Sequence, residues 1–397
     1  MAVTREAQAE ELDIDPGAES KVTNLELFFD LVFVFAVTQV TRFMAEDPTW
    51  GGLARGALVL AAIWWAWVGF AWLTNVIDPE EGVARIVVFA AMAAMLLVAL
   101  AIPGSFGDDA VLFAIAYACV RAAQIVLYAN GATDANMLRS VIGLARSTAI
   151  SATLLLVAAG FDGTTQGLLW AAALLIDFGG PALFGVEGWK VAPKHFAERH
   201  GLILLIALGE SIAAIGIGAE EIELTAGPIA AAVLGVTVAA CLWWAYFDVV
   251  ALVAERHLSA AEGVERSRMA RDSYSFLHLP MVLGIVLLAL GAKKVIGHVD
   301  EPLHVEMGFA LLGGVAMYLL AHVAFRLRNT GTLSRRRVVV AVLLLALVPL
   351  TPEVDALVAL GATAAILVAL IAYEAIRFAA SRDEIRHQGQ FVPPGRR

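Results

Sequence analysis

Five ionisable residues, Glu26, Asp30, Arg121, Arg199 and Glu210, sit inside long apolar runs of a 397-residue chain. A charge at the centre of a membrane-spanning helix costs about 2.5–3.5 kcal/mol on insertion scales. Each of these groups is therefore expected to be paired, hydrated or in use. Thr23-Asn24-Leu25-Glu26 has the spacing of a capping box, so Glu26 would close the start of a helix. Asp30 lies one turn deeper on the same face, about 10 Å along the axis from Thr23. At that depth an aspartate is too short to reach the headgroups. Glu198-Arg199-His200-Gly201 leads into Leu208-Gly209-Glu210-Ser211, and three helical turns put Arg199 and Glu210 on one face. Gly209, Ala213 and Gly216 make an adjacent strip of small residues. Such a strip admits a second helix, which would cover Glu210 or bring a cation to it. Tyr117, Arg121, Gln124 and Tyr128 form one stripe. Arg121 keeps its proton and so needs an anion, for which Asp30 and Glu210 are the natural candidates. The candidate lining of an ion or solute pathway is thus Asp30, Glu210, Arg121, Glu26, Arg199, His200, Ser211, Tyr117 and Gln124.

Other polar residues read as structure. Asp177 precedes Gly179-Gly180-Pro181, which should break its helix and free backbone carbonyls. His278 reads as a hydrogen-bonded interior histidine. Trp64, Trp65, Trp67 and Trp72 read as packing, and Cys119 and Cys241 as buried thiols.

The elements that position these groups follow from composition. The chain is 60% hydrophobic and 16% charged, against about 25% charged in soluble domains. Apolar runs of spanning length recur along it without the period-two alternation of a barrel. The fold class is all-α: a polytopic membrane helical bundle of about 12 transmembrane helices. The eleventh is the shortest, ended by Pro349 and Pro352. With the N-terminus inside, 21 of the 27 Lys and Arg residues fall on the cytoplasmic face and four on the other. That bias places both termini in the cytoplasm of a plasma-membrane protein.

The halves resemble each other. Trp64-Trp65-Ala66-Trp67 matches Trp243-Trp244-Ala245-Tyr246, Leu97-Val98-Ala99-Leu100 matches Leu287-Leu288-Ala289-Leu290, and Tyr117 with Arg121 matches Tyr318 with His322. The expected organisation is an acidic tail over 1–20, six-helix repeats over 21–190 and 191–380, and a polar tail over 381–397. An even-numbered unit re-enters the membrane in the same direction, so the repeats should be related by an axis along the membrane normal.

Several functions are excluded by what the sequence lacks. There is no Walker A motif, no dinucleotide fingerprint, no zincin spacing and no Gly-x-Ser-x-Gly. No cofactor and no enzymatic activity are expected. The acidic balance, net charge −10, and the absence of a basic stripe with interleaved aromatics exclude nucleic acid. The expected partners are the lipid bilayer and an ion or small solute, with homo-oligomerisation open.

Leu25-Glu26-Leu27-Phe28-Phe29-Asp30-Leu31-Val32-Phe33-Val34-Phe35-Ala36 resembles the opening signature of the bacterial low temperature requirement A family. Glu198-Arg199-His200-Gly201 with Leu208-Gly209-Glu210-Ser211 resembles its second signature. The resemblance implies an integral membrane protein linked by name to growth in the cold. A weaker likeness joins Phe28-Phe29-Asp30 to the Phe-Ser-Asp signature of the lysosomal potassium channel family, with Phe29 in place of the serine. Two functions follow as expectations: a channel or transporter using buried carboxylates, or a non-transporting sensor, scaffold or lipid-related factor.

Overall fold

The computed structural model describes residues 22–132, 134–183, 188–220 and 222–387. The acidic tail 1–20, Glu221 and most of the 381–397 tail lie outside the described residues. The helices in chain order are α1 (Asn24–Glu46), α2 (Trp50–Leu73), α3 (Gly82–Ala101), α4 (Ala110–Gly131), α5 (Ala135–Ala158), α6 (Gly163–Leu183), α7 (Pro193–Ala219) and α8 (Ala226–Phe247). They continue with α9 (Val250–Ala260), α10 (Gly263–Met269), α11 (His278–Gly297), α12 (Val305–Gly308), α13 (Gly314–Thr330), α14 (Arg335–Leu347), α15 (Ala356–Arg377) and α16 (Ala379–His387). Among the described residues, ten helices are long and apolar enough to cross a membrane. A bilayer offers backbone groups no partner, so helices satisfy them internally. The chain is therefore a multi-pass helical membrane protein.

Local chemistry fixes the ends. Thr23 and Glu26 form the capping box reciprocally. Thr49 accepts from the Gly52 amide at the start of α2, and Asp134 from two amides at the start of α5. Pro193 opens α7, where its missing N–H is harmless. Gly331, at φ 67°, ends α13 in the left-handed region.

One expectation about an interruption is corrected: α6 is not broken by Gly179-Gly180-Pro181 but runs through Pro181 to Leu183. The eleventh apolar run is short, as its prolines indicate, and its α-helix stops at Leu347, before Pro349. α14 has 13 residues, about 20 Å of rise, and a 3-10 segment of 6 residues (Val348–Glu353) adds about 12 Å. Beyond that segment, Ala356 N donates to Glu301 O at 2.9 Å, so the chain has reached the turn between α11 and α12. Two π-helical segments, Ala270–Phe276 and Phe309–Gly313, have no signal in the sequence. The first precedes Pro280 and carries Ser275, whose carbonyl and hydroxyl accept from the Trp64 and Trp72 indoles, both at 2.8 Å. Those tryptophans thus tie α2 to the second half by hydrogen bonds as well as packing. Cys119 is exposed on the outer face, contrary to expectation, while Cys241 is buried.

Packing follows one order twice. α1 lies on α2 and α3, α3 on α4, α4 on α5, α5 on α6, and α6 on α2. α7 lies on α8 and α11, α11 on α13, α13 on α14, α14 on α15, and α15 on α8. The halves meet chiefly where α1 lies against α7 and α11. α11 and α13 touch through glycine backbones: a Cβ on Gly284 would sit 2.5 Å from Gly314 O, and one on Gly314 2.7 Å from Gly284 O. Backbone cannot yield as a side chain can. Gly284→Val is therefore expected to destabilise the fold by about 1–3 kcal/mol. Thermal unfolding in detergent checks this, and an unchanged midpoint would refute the close approach.

Candidate functional site

The seam between α1 and α7 collects most of the charged candidates. Arg199 Nη2 lies 2.6 Å from Asp30 Oδ1, and Nη1 lies 3.2 Å from Glu26 Oε1. Glu26 Oε2 also meets His195 Nε2 at 3.0 Å while closing the capping box on the Thr23 amide. Trp67 of α2 donates its indole N–H to Asp30 Oδ1 at 2.8 Å, and its ring faces the Arg199 guanidinium at 5.6 Å. Asp30 is 0% exposed and Arg199 1%. One guanidinium therefore serves two buried carboxylates. Among the described residues, Asp30 Oδ2, Arg199 Nε and His195 Nδ1 have no hydrogen-bond partner.

Further along the seam Thr38 donates to Glu210 Oε2 at 2.6 Å. Glu26 meets His195 and Arg199, and Thr38 meets Glu210, so α1 and α7 run parallel. The two polar levels are about 18 Å apart by the rise from Glu26 to Thr38. Between them lies an apolar layer including Phe33, Val37, Ile203, Ile206 and Ala207, around a void of about 10 Å³. That is about the smallest space that holds one water.

The structure separates groups that the sequence suggested were together. Arg121 does not meet Asp30 or Glu210. Its anion is Asp177 of α6, 3.0 Å away, with Thr148 of α5 bonded to both partners. Tyr117 donates to the same carboxylate at 3.3 Å, and Gln124 accepts from Arg121 at 2.6 Å while donating to Ala66 O. The Tyr117–Gln124 stripe is therefore one cluster, but it belongs to α4, α5 and α6 and lies apart from the α1/α7 seam. The strip of Gly209, Ala213 and Gly216 faces outward, and a Cβ on Gly209 or Gly216 would meet nothing within 4 Å. It lies about a quarter turn round α7 from Glu210, which α1 covers. Ser211 turns back to Leu208 O at 2.7 Å and does not join Glu210. His200 bonds Phe196 O through Nδ1 and stands among the rings of Trp67, Tyr274 and His278, leaving Nε2 unpartnered. His278 is hydrogen-bonded as expected, to Tyr246 and to Ser273 O.

A third buried cluster gathers around Arg337, which sequence reasoning did not single out. Arg337 of α14 holds Glu374 of α15 in a bidentate pair at 3.1 and 2.7 Å. It also donates to the His322 ring and to Ala245 O. Arg337 stands in the run Arg335-Arg336-Arg337, which reads as a cytoplasmic charge patch. His195 and Thr148 gave no signal either. Ala66 and Ala245, matched in sequence, both have carbonyls capped by these clusters.

A bundle of long apolar helices with clusters of charged side chains buried in its interior defines a polytopic integral membrane protein. No solved structure matches it. A family model described as bacterial low temperature requirement A protein matches residues 21–372. The chain belongs to that family. It is also similar to an uncharacterized protein of Rhizobium meliloti (strain 1021), 28% identical over 316 residues, which cover 76% of each chain.

Proposed function

We propose that this protein is a channel or transporter in which a proton or small cation passes along the α1/α7 seam, here in a closed state. The observation that carries the reading is the surplus negative charge at Asp30. Two buried carboxylates face one guanidinium, and an oxygen of Asp30 is unpartnered. Charge is balanced only when His195 is protonated or when a proton or cation sits on the site. Glu210 is a second way station, bonded to a hydroxyl rather than a cation. The apolar layer between them acts as a dewetted gate. Arg121 and Asp177 stand outside the path and hold the first half together. No catalytic step is assigned to any of these residues.

The reading takes in a fuller topology: twelve crossings in two six-helix repeats, with both termini cytoplasmic in the plasma membrane. Parallel α1 and α7 support it, because α7 can re-enter alongside α1 only if α6 also crosses. The recurring packing order and the two capped alanine carbonyls support the repeat. The partners are then the bilayer and the permeating ion.

Flux in proteoliposomes tests this. Asp30→Asn and Glu210→Gln are each expected to lower proton or monovalent-cation flux at least about tenfold, since each removes a charged station. Unchanged flux in both would remove their role. A second reading, a non-transporting membrane factor supporting growth in the cold, is favoured by the burial and mutual pairing of the clasps. A correctly assembled wild type without flux would establish that reading instead.

A further inference from the structure

At the end of the bundle where α8, α13 and α15 finish and α14 begins, the helices diverge around a cavity of about 710 Å³. This is within the range of small-molecule sites. Its lining holds five guanidiniums, from Arg326, Arg335, Arg336, Arg337 and Arg382, against two carboxylates, Asp248 and Glu374. Both carboxylates are already engaged. Glu374 is held by Arg337, and Asp248 by Arg382 and Arg386 of α16. Three cations are left without an ion pair among the described residues. Arg326 donates only to Thr332, and Arg336 lies over the rings of Tyr373 and Phe378 at 5.3 and 4.8 Å. Arg335 is exposed at the start of α14.

The rest of the lining is apolar. Trp244 forms one wall and is shared with a second hollow of about 500 Å³ on the outer face of α8 and α15. That hollow is lined by Val233, Val236, Ala240 and Ile371 among others, with Thr237 its one hydroxyl. A basic chamber at the end of the helices thus shares its Trp244 wall with an apolar groove along the helices. Its two parts have the polarity of one amphiphile, a phosphate ester with an acyl chain. Basic pockets between membrane helices recognise such headgroups by general electrostatics.

We propose that this cavity is a binding site for an anionic phospholipid, with its phosphate on Arg326, Arg335 and Arg336 and an acyl chain in the α8/α15 groove. The site is separate from the α1/α7 seam and does not depend on permeation. A bound lipid would tie α8, α14 and α15 together at the point where Asp248 docks α16.

Native mass spectrometry of the full-length protein in detergent, titrated with phosphatidylglycerol, phosphatidylcholine or inorganic phosphate, tests the proposal. Phosphatidylglycerol is expected to bind at least about tenfold more tightly than phosphatidylcholine, since each guanidinium near an anionic headgroup contributes about fivefold. Arg335→Gln is expected to weaken phosphatidylglycerol about fivefold, and the combination with Arg326→Gln and Arg336→Gln to abolish the preference. Ala240→Phe, on the exposed face of α8, should weaken phosphatidylglycerol and leave inorganic phosphate unaffected. Equal binding of the two lipids by the wild type would overturn the proposal, as would a preference undiminished by Arg335→Gln or one that survives the triple variant. Inorganic phosphate binding as tightly as phosphatidylglycerol, or no effect of Ala240→Phe, would assign the chamber to a soluble phosphate and overturn the lipid assignment.

Discussion

Arg199→Gln is expected to destabilise the protein by about 3–5 kcal/mol, the cost of leaving a buried charge without its partner. Here the loss falls on two carboxylates at once. Glu26 would keep its capping box and His195, whereas Asp30 would keep only the Trp67 indole. The penalty should therefore fall mainly on Asp30. Adding Asp30→Asn to Arg199→Gln should recover a large part of the loss, because a neutral amide no longer needs a counter-charge. Adding Glu26→Gln should recover less, since it also weakens the cap on α1. Unfolding midpoints in detergent for the single and paired variants check this. A single variant as stable as the wild type, or equal rescue by the two second changes, would show that the charge does not reside at Asp30.

The second large effect is expected at Arg121 and Asp177. Arg121→Leu and Asp177→Leu should each cost about 3–5 kcal/mol, while the double variant should regain most of it. Replacing a complete buried pair with apolar groups removes its desolvation cost together with its attraction. The coupling energy from the four proteins isolates the pair. Additive single effects would mean that Arg121 is held by Gln124, Thr148 and the Trp65 carbonyl rather than by Asp177. Tyr117 donates to Asp177, so its hydroxyl loses an acceptor in the Asp177 variants. The single Asp177 change should accordingly be the costlier of the two.

What was legible in the sequence was which polar groups are buried; what was not was direction around the bundle. Hydropathy located Asp30, Arg121 and Glu210 inside the apolar layer, and the described residues bury all three. Periodicity placed Tyr117, Arg121 and Gln124 on one stripe, and they share one cluster. Thr23 and Glu26 announced the start of α1 because a capping box is a local motif. Partner choice is different in kind. Asp30 and Arg199 are 169 residues apart and meet across the two halves. Nothing periodic distinguishes Asp177 from Asp30 as the acid for Arg121. The small residues of α7 marked a face that a helix could approach, but not which neighbour would take it. Among the described residues none does, and α1 covers a side about a quarter turn away. The prolines at the end of α14 were legible for a local reason as well. They stop an α-helix, yet Pro349 and Pro352 are accommodated in a 3-10 segment that carries the chain onward.

The clasp between Glu26, Asp30 and Arg199 has a consequence for how this protein is made. α1 emerges from the ribosome carrying two acids whose guanidinium is encoded about 170 residues later. At roughly 5–20 residues per second, α1 waits on the order of ten to thirty seconds for its counter-ion. During that interval its carboxylates must hold protons or stay at the headgroups. The insertion of the first helix is finished only when the seventh arrives, and a ribosome that stalls midway leaves behind a nascent chain whose acids have found no mate.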